Sequence, residues 1–423
     1  MKIPRMKNKQ LSELLGNITA LHLAARVLVI VSFFCVSNFS SAALNDREKA
    51  KFIHDRLTGV LPSAVMLTEM EDIISLNNGG SGAFDAALVA IDGNNNVDAS
   101  GAFYNVTVKN WASPWTNEED DIFAPLNDYS ALVIGLVRDE EDFSLLLSGD
   151  ILYLGADSSL PSYAMNNNNH YQQLESSGAN LGDSSVFVKT TQSSQLDIDP
   201  RGIAGFFSTR AAAKAFFSDG TNRAMLRFTV RNHLCNDMEQ LKDTSLPADR
   251  IRQDVSRSPG GDSRIYLTSC VGCHSGMDPL TQAFAYHQWE YFDDKDSGRL
   301  TYTPGIVQDK FLINETNFKN GFVTTDDSWT NHWRQGENVE KLGWISGSEI
   351  YTQGTGAKSM GEELANTKAF AYCQVTKAFK SVCLREPSES DRSTVDAIAV
   401  NFMSAYNMKN VFAELAVNCA DGF

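Results

Sequence analysis

Beyond residue 43 the chain has no apolar run long enough to cross a membrane, and basic residues are scarce. In its 423 residues, 36 Lys and Arg stand against 52 Asp and Glu, a formal charge of -16. So acidic a chain argues against nucleic acid and against anionic membrane surfaces as partners. There is no internal repeat, no phosphate-binding glycine loop and no nucleophile–base set. Histidine and cysteine are few, seven of each, so a place where they meet carries information. What remains is an ordinary globular composition, 43% hydrophobic and 21% charged. It is enough to bury sizeable cores in two or three domains.

The first 43 residues differ from the rest. Lys2, Arg5, Lys7, Lys9 and Arg26 precede the apolar run Val27 to Val36, and the small residues Ser40-Ser41-Ala42-Ala43 follow. This order predicts a signal peptide cleaved after Ala42 or Ala43, with an uncleaved anchor as the alternative. The apolar run is near ten residues, and a spanning helix needs about 20. Cys35 follows two Phe, which argues against lipidation. Cleavage removes five basic groups and one acidic group, Glu13, and leaves a formal charge of -20. The expected location is periplasmic or secreted.

Six cysteines then remain. Cys270 and Cys273 belong to one short motif; Cys235, Cys373, Cys383 and Cys419 are dispersed. In an oxidising compartment these four allow two disulfides in three connectivities. Cys373 and Cys383 fall on one predicted helix, about 15 Å apart along its axis, too far to bond to each other. Each therefore looks to Cys235 or Cys419, with free buried thiols as the alternative.

The periodicity predicts a mainly α protein: a multi-helix N-terminal region and a second helical domain with a small β or loop insertion. The expected division is 1–43 signal peptide, 44–200 helical N-terminal domain, 201–300 the region that holds Cys270 and Cys273, 301–350 insertion, and 351–423 a C-terminal helical region completing that second domain. Two helices span 44–75, broken at Leu57 to Ser63 by Gly59, Pro62 and the capping Ser63. Further helices are expected at Tyr129 to Val137, Phe143 to Leu154, Thr209 to Phe217, Asn222 to Leu234 and Pro279 to Tyr291. Four more are expected at Ala357 to Asn366, Thr367 to Cys383, Ser388 to Tyr406 and Met408 to Cys419.

Ser269-Cys270-Val271-Gly272-Cys273-His274 fits c-type haem attachment. Two thiols three residues apart can add to the two vinyl groups of one haem, and the adjacent imidazole meets the iron from the same side. Zinc would need two further ligands at Cys or His spacing, and a thioredoxin-type pair would need a βαβ context; the surroundings supply neither. The expected cofactor is one haem c, held by Cys270, Cys273 and His274, with His274 the proximal ligand, which makes 201–300 the haem region of a cytochrome c-like helical haem domain that 351–423 completes. Met277 lies one turn beyond His274, on the proximal side. Met360, just before a closing helix, is the distal candidate; Met403, Met408, His287, His332 or an open position are alternatives, and a core role is the usual fate of a Met. Arg223, Arg227 and Arg231, at four-residue spacing, are either propionate partners or a solvated face.

The stretch Cys270 to Phe284 (CVGCHSGMDPLTQAF), with the later Asp293, resembles the haem signature of a family of exported cytochrome c-like proteins first described in planctomycetes. It departs from that signature at Thr281, where Gly is usual, and by inserted residues before Phe292-Asp293. Asp142 to Leu154, Arg201 to Cys235 with its Asn222-Arg223 pair, and Gly356 to Phe379 resemble other segments of the family. The resemblance implies export and haem at Cys270, Cys273 and His274; it brings no established reaction. Asp278-Pro279 belongs to the same signature and reads as the start of a helix, Asp as cap and Pro at the first position.

The expected function is one-electron transfer with a redox partner protein of positive surface, and a carrier rather than an enzyme. A haem-dependent oxidoreductase or peroxidase-like enzyme is the alternative, with His170, His233, Trp111, Trp115 and the acidic run 117–121 as candidate contributors. A haem-bearing subunit of an exported complex is the other. Mass spectrometry of protein recovered from the periplasm is expected to find a chain beginning at Ala43 or Leu44; a chain retaining residues 27–36 would overturn the cleavage reading.

Overall fold

The computed structural model describes residues 44–77, 80–217, 222–292, 297–312, 318–345 and 352–422. The expected signal peptide and Asp293 lie outside them. Among the described residues no helix is long and apolar enough to cross a membrane.

Capping sets the first elements. Asn45 and Glu48 close a reciprocal capping box on helix α1 (Asp46–Thr58), and Gly59, at φ 70°, ends it in the left-handed region. Ser63 caps α2 (Ala64–Leu76), and α3 (Gly82–Asp92) follows. The three pack on one another. A π-helical turn, Phe103–Val108, runs into short helical turns through Thr116.

Helix α4 (Asp128–Arg138) is buried on every face, as expected of a helix apolar all round. Leu132, Val133, Ile134, Leu136 and Val137 are fully buried, each contributing about 1.5–3 kcal/mol of burial. Any side chain at Gly135 would run into the Tyr153 ring. Asp128, at its start, accepts the backbone N–H groups of Arg210 and Ala211. It thereby tethers α6 (Arg210–Phe216), which follows α5 (Asn169–Ser176). Next comes α7 (Arg223–His233), then α8 (Val271–Thr281). The chain closes with α9 (Gly356–Ala365), α10 (Lys368–Cys383), α11 (Arg392–Ala405) and α12 (Met408–Asp421).

Among the described residues three two-stranded antiparallel sheets complete the fold: β1 (Leu152–Gly155) with β2 (Phe187–Thr190), β3 (His287–Tyr291) with β4 (Gly298–Tyr302), and β5 (Ser328–Thr330) with β6 (Gln353–Thr355). The mainly α expectation therefore holds. Two expected helices are corrected. Phe143 starts only a 3₁₀ turn to Leu147, after which Gly149 breaks the helix and Leu152 begins a strand. The helix expected over Pro279 to Tyr291 gives way after Phe284 to β3, where His287 and Trp289 are buried and alternate with outward Gln288 and Glu290. That is the period of a strand.

Residues 45–422 form one compact unit. Helix α12 packs on α1 and α3, and α10 packs on α7, α11 and α12, so the last helices cover the first. Cys235 lies at disulfide distance from Cys373 and Cys383 from Cys419, with Cα separations of 5.2 and 5.7 Å. Cys373 and Cys383, on one helix, thus each find a partner elsewhere. Cys270 and Cys273 are free. Protein made without haem attachment and unfolded without reductant is expected to show two reactive thiols, and six after reduction, by thiol titration. Replacing Cys235 by Ala is expected to cost about 2–5 kcal/mol in urea unfolding.

Candidate functional site

The site begins as a continuous helical run. Asp262 caps Ser263–Ile265, the π-helical turn Tyr266–Cys270 follows, and α8 continues to Thr281. At helical spacing Cys270, Cys273, His274 and Met277 share one face, and Gly272, Ser275, Gly276 and Pro279 the opposite one. The second face is packed. A side chain at Gly276 would occupy the place of the Trp333 indole, and one at Gly272 would meet Lys242. The first face is partly open: Cys270, Cys273 and His274 are half-buried, and Ile265 and Leu267, one turn earlier, are exposed. Cys270 packs against Ile251, Val255, Tyr266 and Val271. The Cys273 thiol lies 3.4 Å from the Met238 carbonyl oxygen. Burial, then Glu239, pushes its pKa up, the opposite of an activated redox thiol. Met277 is buried beside them.

His274 is held by a residue one turn on. Its Nδ1 lies 3.0 Å from Asp278 Oδ1. Asp278 is fully buried and takes three further hydrogen bonds: Arg223 Nε to Oδ1 at 2.7 Å, Arg223 Nη2 to Oδ2 at 3.1 Å, and the Arg252 backbone N–H to Oδ2 at 3.1 Å. Burial alone would raise its pKa, but Arg223 and then His274 outweigh that and hold the carboxyl well below the usual carboxylate range. An ionised carboxylate only accepts, so Nδ1 of His274 carries the proton and the Nε2 lone pair is left for a ligand. Asp278 is therefore no helix cap. The expectation of a helix start at Asp278-Pro279 is corrected: both lie inside α8.

Pro279 is tolerated there for a specific reason. It has no N–H to return to the Ser275 carbonyl four residues earlier, and His332 Nδ1 donates to that oxygen at 3.0 Å. His332 thus spends one nitrogen on the helix.

Arg223 also grips Asp254, through Nη1 and Nη2 at 2.7 and 3.0 Å. Arg252 lies over the Phe311 ring and donates to the Phe311 carbonyl at 3.0 Å. Burial and Arg223 push its pKa down to about 10. Asn222, in the left-handed region at φ 60°, donates to the Phe284 and His287 carbonyls at 3.0 Å. The Asn222-Arg223 pair therefore ties the start of α7 to both ends of the Asp278 segment. On its other side Arg223 helps line an open cleft of about 1000 Å³ with Asn117, Asn168, Arg210, Lys214 and Tyr291. Arg227 pairs with Asp237 and Arg231 with Asp120. The three arginines thus have carboxylate partners within the chain.

The other candidates lie apart from this helix face or have packing roles. Met360 is fully buried on α9, whose neighbours include the turns 143–147 and 282–284. His287 is fully buried with Nε2 3.0 Å from the Gly202 carbonyl oxygen, and burial pushes its pKa down to about 4. Met408 is fully buried and Met403 half-buried. His170 uses both nitrogens, toward the Pro161 carbonyl and the Gly155 N–H. His233 meets the Tyr129 hydroxyl at 2.6 Å beneath Trp115, whose ring stands edge-on to Trp111.

Among the described residues no three His, Cys, Asp or Glu side chains are grouped to hold a metal ion, so the cysteine pair lacks the further ligands of a tetrahedral zinc site. No family model, curated protein or solved structure matches the chain. Sequence reading missed Arg252 and Asp254 and took Asp278 for a helix cap; the available signal was the four-residue step from His274 to Asp278, which places those two on one helix face. Asp278→Asn is expected to cost about 3–5 kcal/mol in urea unfolding, because it leaves the half-buried Arg223 guanidinium without half its counter-charge and the His274 ring without its partner.

Proposed function

We propose that this chain is an exported monohaem c-type cytochrome that transfers single electrons, its haem bound through Cys270 and Cys273 with His274 as the proximal iron ligand. One observation carries the reading. The other four described cysteines are paired at disulfide distance, and the two left over share a helix face with an imidazole whose Nδ1 is held by a buried carboxylate.

The residues present fit the group. Cys270 and Cys273 would hold it by adding each S–H across one vinyl double bond, sulfur to one carbon and hydrogen to the other, with nothing oxidised or reduced. Asp278 fixes the His274 tautomer with Nε2 outward, as carboxylates behind metal-binding histidines do. Ile265 and Leu267 offer apolar cover beside the thiols. When bound, haem supplies reversible one-electron chemistry whose potential follows its ligands and surroundings. Met360, packed into the core, is better explained as a core residue than as the distal ligand. The half-open face brings the motif within reach of a docking protein. The charge of -20 after cleavage, calculated from the sequence, favours a partner with a positive surface. The signal-like N-terminus and the two cysteine pairs support export to the periplasm or beyond.

Protein matured in a host able to attach haem is expected to give the pyridine haemochrome of a thioether-linked haem and to keep its colour in acidic acetone. Cys270→Ala with Cys273→Ala should yield colourless protein. A wild-type chain that is colourless, or loses its pigment to the acid, would overturn the reading, and paired oxidised and reduced spectra would report the sixth position.

A further inference from the structure

We propose that Asp278 and Arg223 are opposed positioning residues that set the electron affinity of an iron held by His274, Asp278 lowering it and Arg223 raising it. The inference rests on the haem reading above. It follows from charge and connectivity. Asp278 accepts the Nδ1 proton of His274 at 3.0 Å, which pushes electron density toward Nε2 and strengthens that nitrogen as a donor. A stronger donor favours the more positive, oxidised iron. Because Asp278 is fully buried, water and salt screen this little.

Arg223 works against it. Two of its N–H groups lie on the same carboxylate, at 2.7 and 3.1 Å, and draw charge away from the imidazole. The balance is close, because Asp278, Asp254, Arg223 and Arg252 carry two negative and two positive charges within one connected network. Removing one member leaves a single uncompensated charge of known sign. His274 and Asp278 are one turn apart on α8, so the helix itself keeps the two side chains within reach of each other. Arg223 reaches them from α7, 55 residues earlier in the chain. It also lines the open cleft, which gives a small cation a way in.

The test is spectroelectrochemical titration of the matured, haem-bearing protein and its variants. Asp278→Asn is expected to raise the reduction potential and Arg223→Met to lower it. Each should change the reduced-to-oxidised ratio at fixed potential by tenfold or more, which is ~59 mV for one electron. Arg223→Lys, which keeps the charge, should stay near wild type. Guanidinium chloride at low millimolar concentration should return Arg223→Met toward wild type. Where Asp278→Asn does not accumulate, Asp254→Asn removes a charge one step further away and should raise the potential by less. A general loosening of the site would move both members of the pair in the same direction. Such a common shift, or none, in protein that carries haem would overturn this inference and leave the haem reading standing. Wild-type protein without attached haem would overturn both.

Discussion

A single buried carboxylate organises this half of the molecule. Asp278 is fully enclosed and would be costly to bury alone. Its four hydrogen-bond contacts, from His274, Arg223 and the Arg252 backbone, make it tolerable and determine what surrounds it. The segment around Arg252 must run close to α8, α7 must begin where Arg223 can reach, and the imidazole must turn its other nitrogen outward. The haem reading depends on that orientation, because the thiols define where a porphyrin would be stitched and the carboxylate defines how the ligand beside them is aimed.

The rest of the chain explains why so much protein surrounds a short motif. The last helices pack on α1 and α3, and the pairing of Cys235 with Cys373 links the segment after α7 to α10. The helix that delivers Arg223 is therefore anchored at both ends, by Asn222 and Arg223 at its start and by the cysteine pair beyond its end. The N-terminal helices belong to the same unit as the motif, which makes them part of its support. His170, His233 and the tryptophans below them form packed contacts of that support.

Much of the fold could be read from the sequence because its signals were local. The Ser63 cap, the break at Gly59 and Pro62, and clean 3.6-residue spacing locate α1, α2, α4 and α7 to within a few residues. The failures have local causes too. Phe103–Val108 winds as a π turn, which no 3.6 template matches. His287 to Tyr291 is an aromatic run whose alternation becomes decisive only once a partner strand is available. At the site, Cys270, Cys273 and His274 were legible because the motif encodes chemistry. Asp278 was misread because Asp-Pro normally opens a helix, and its actual role depends on Arg223 and Arg252, both distant in sequence.

The proline inside α8 has a structural corollary. By withholding one donor, it leaves a gap in the ladder of the motif-bearing helix, and the imidazole of His332 plugs that gap from the β-rich segment. The ring acts as a peg in a socket, joining two parts of the chain that share no strand. An alanine at 279 would refill the socket with its own amide, and the segment carrying Trp333 would lose the hook by which it hangs on the helix.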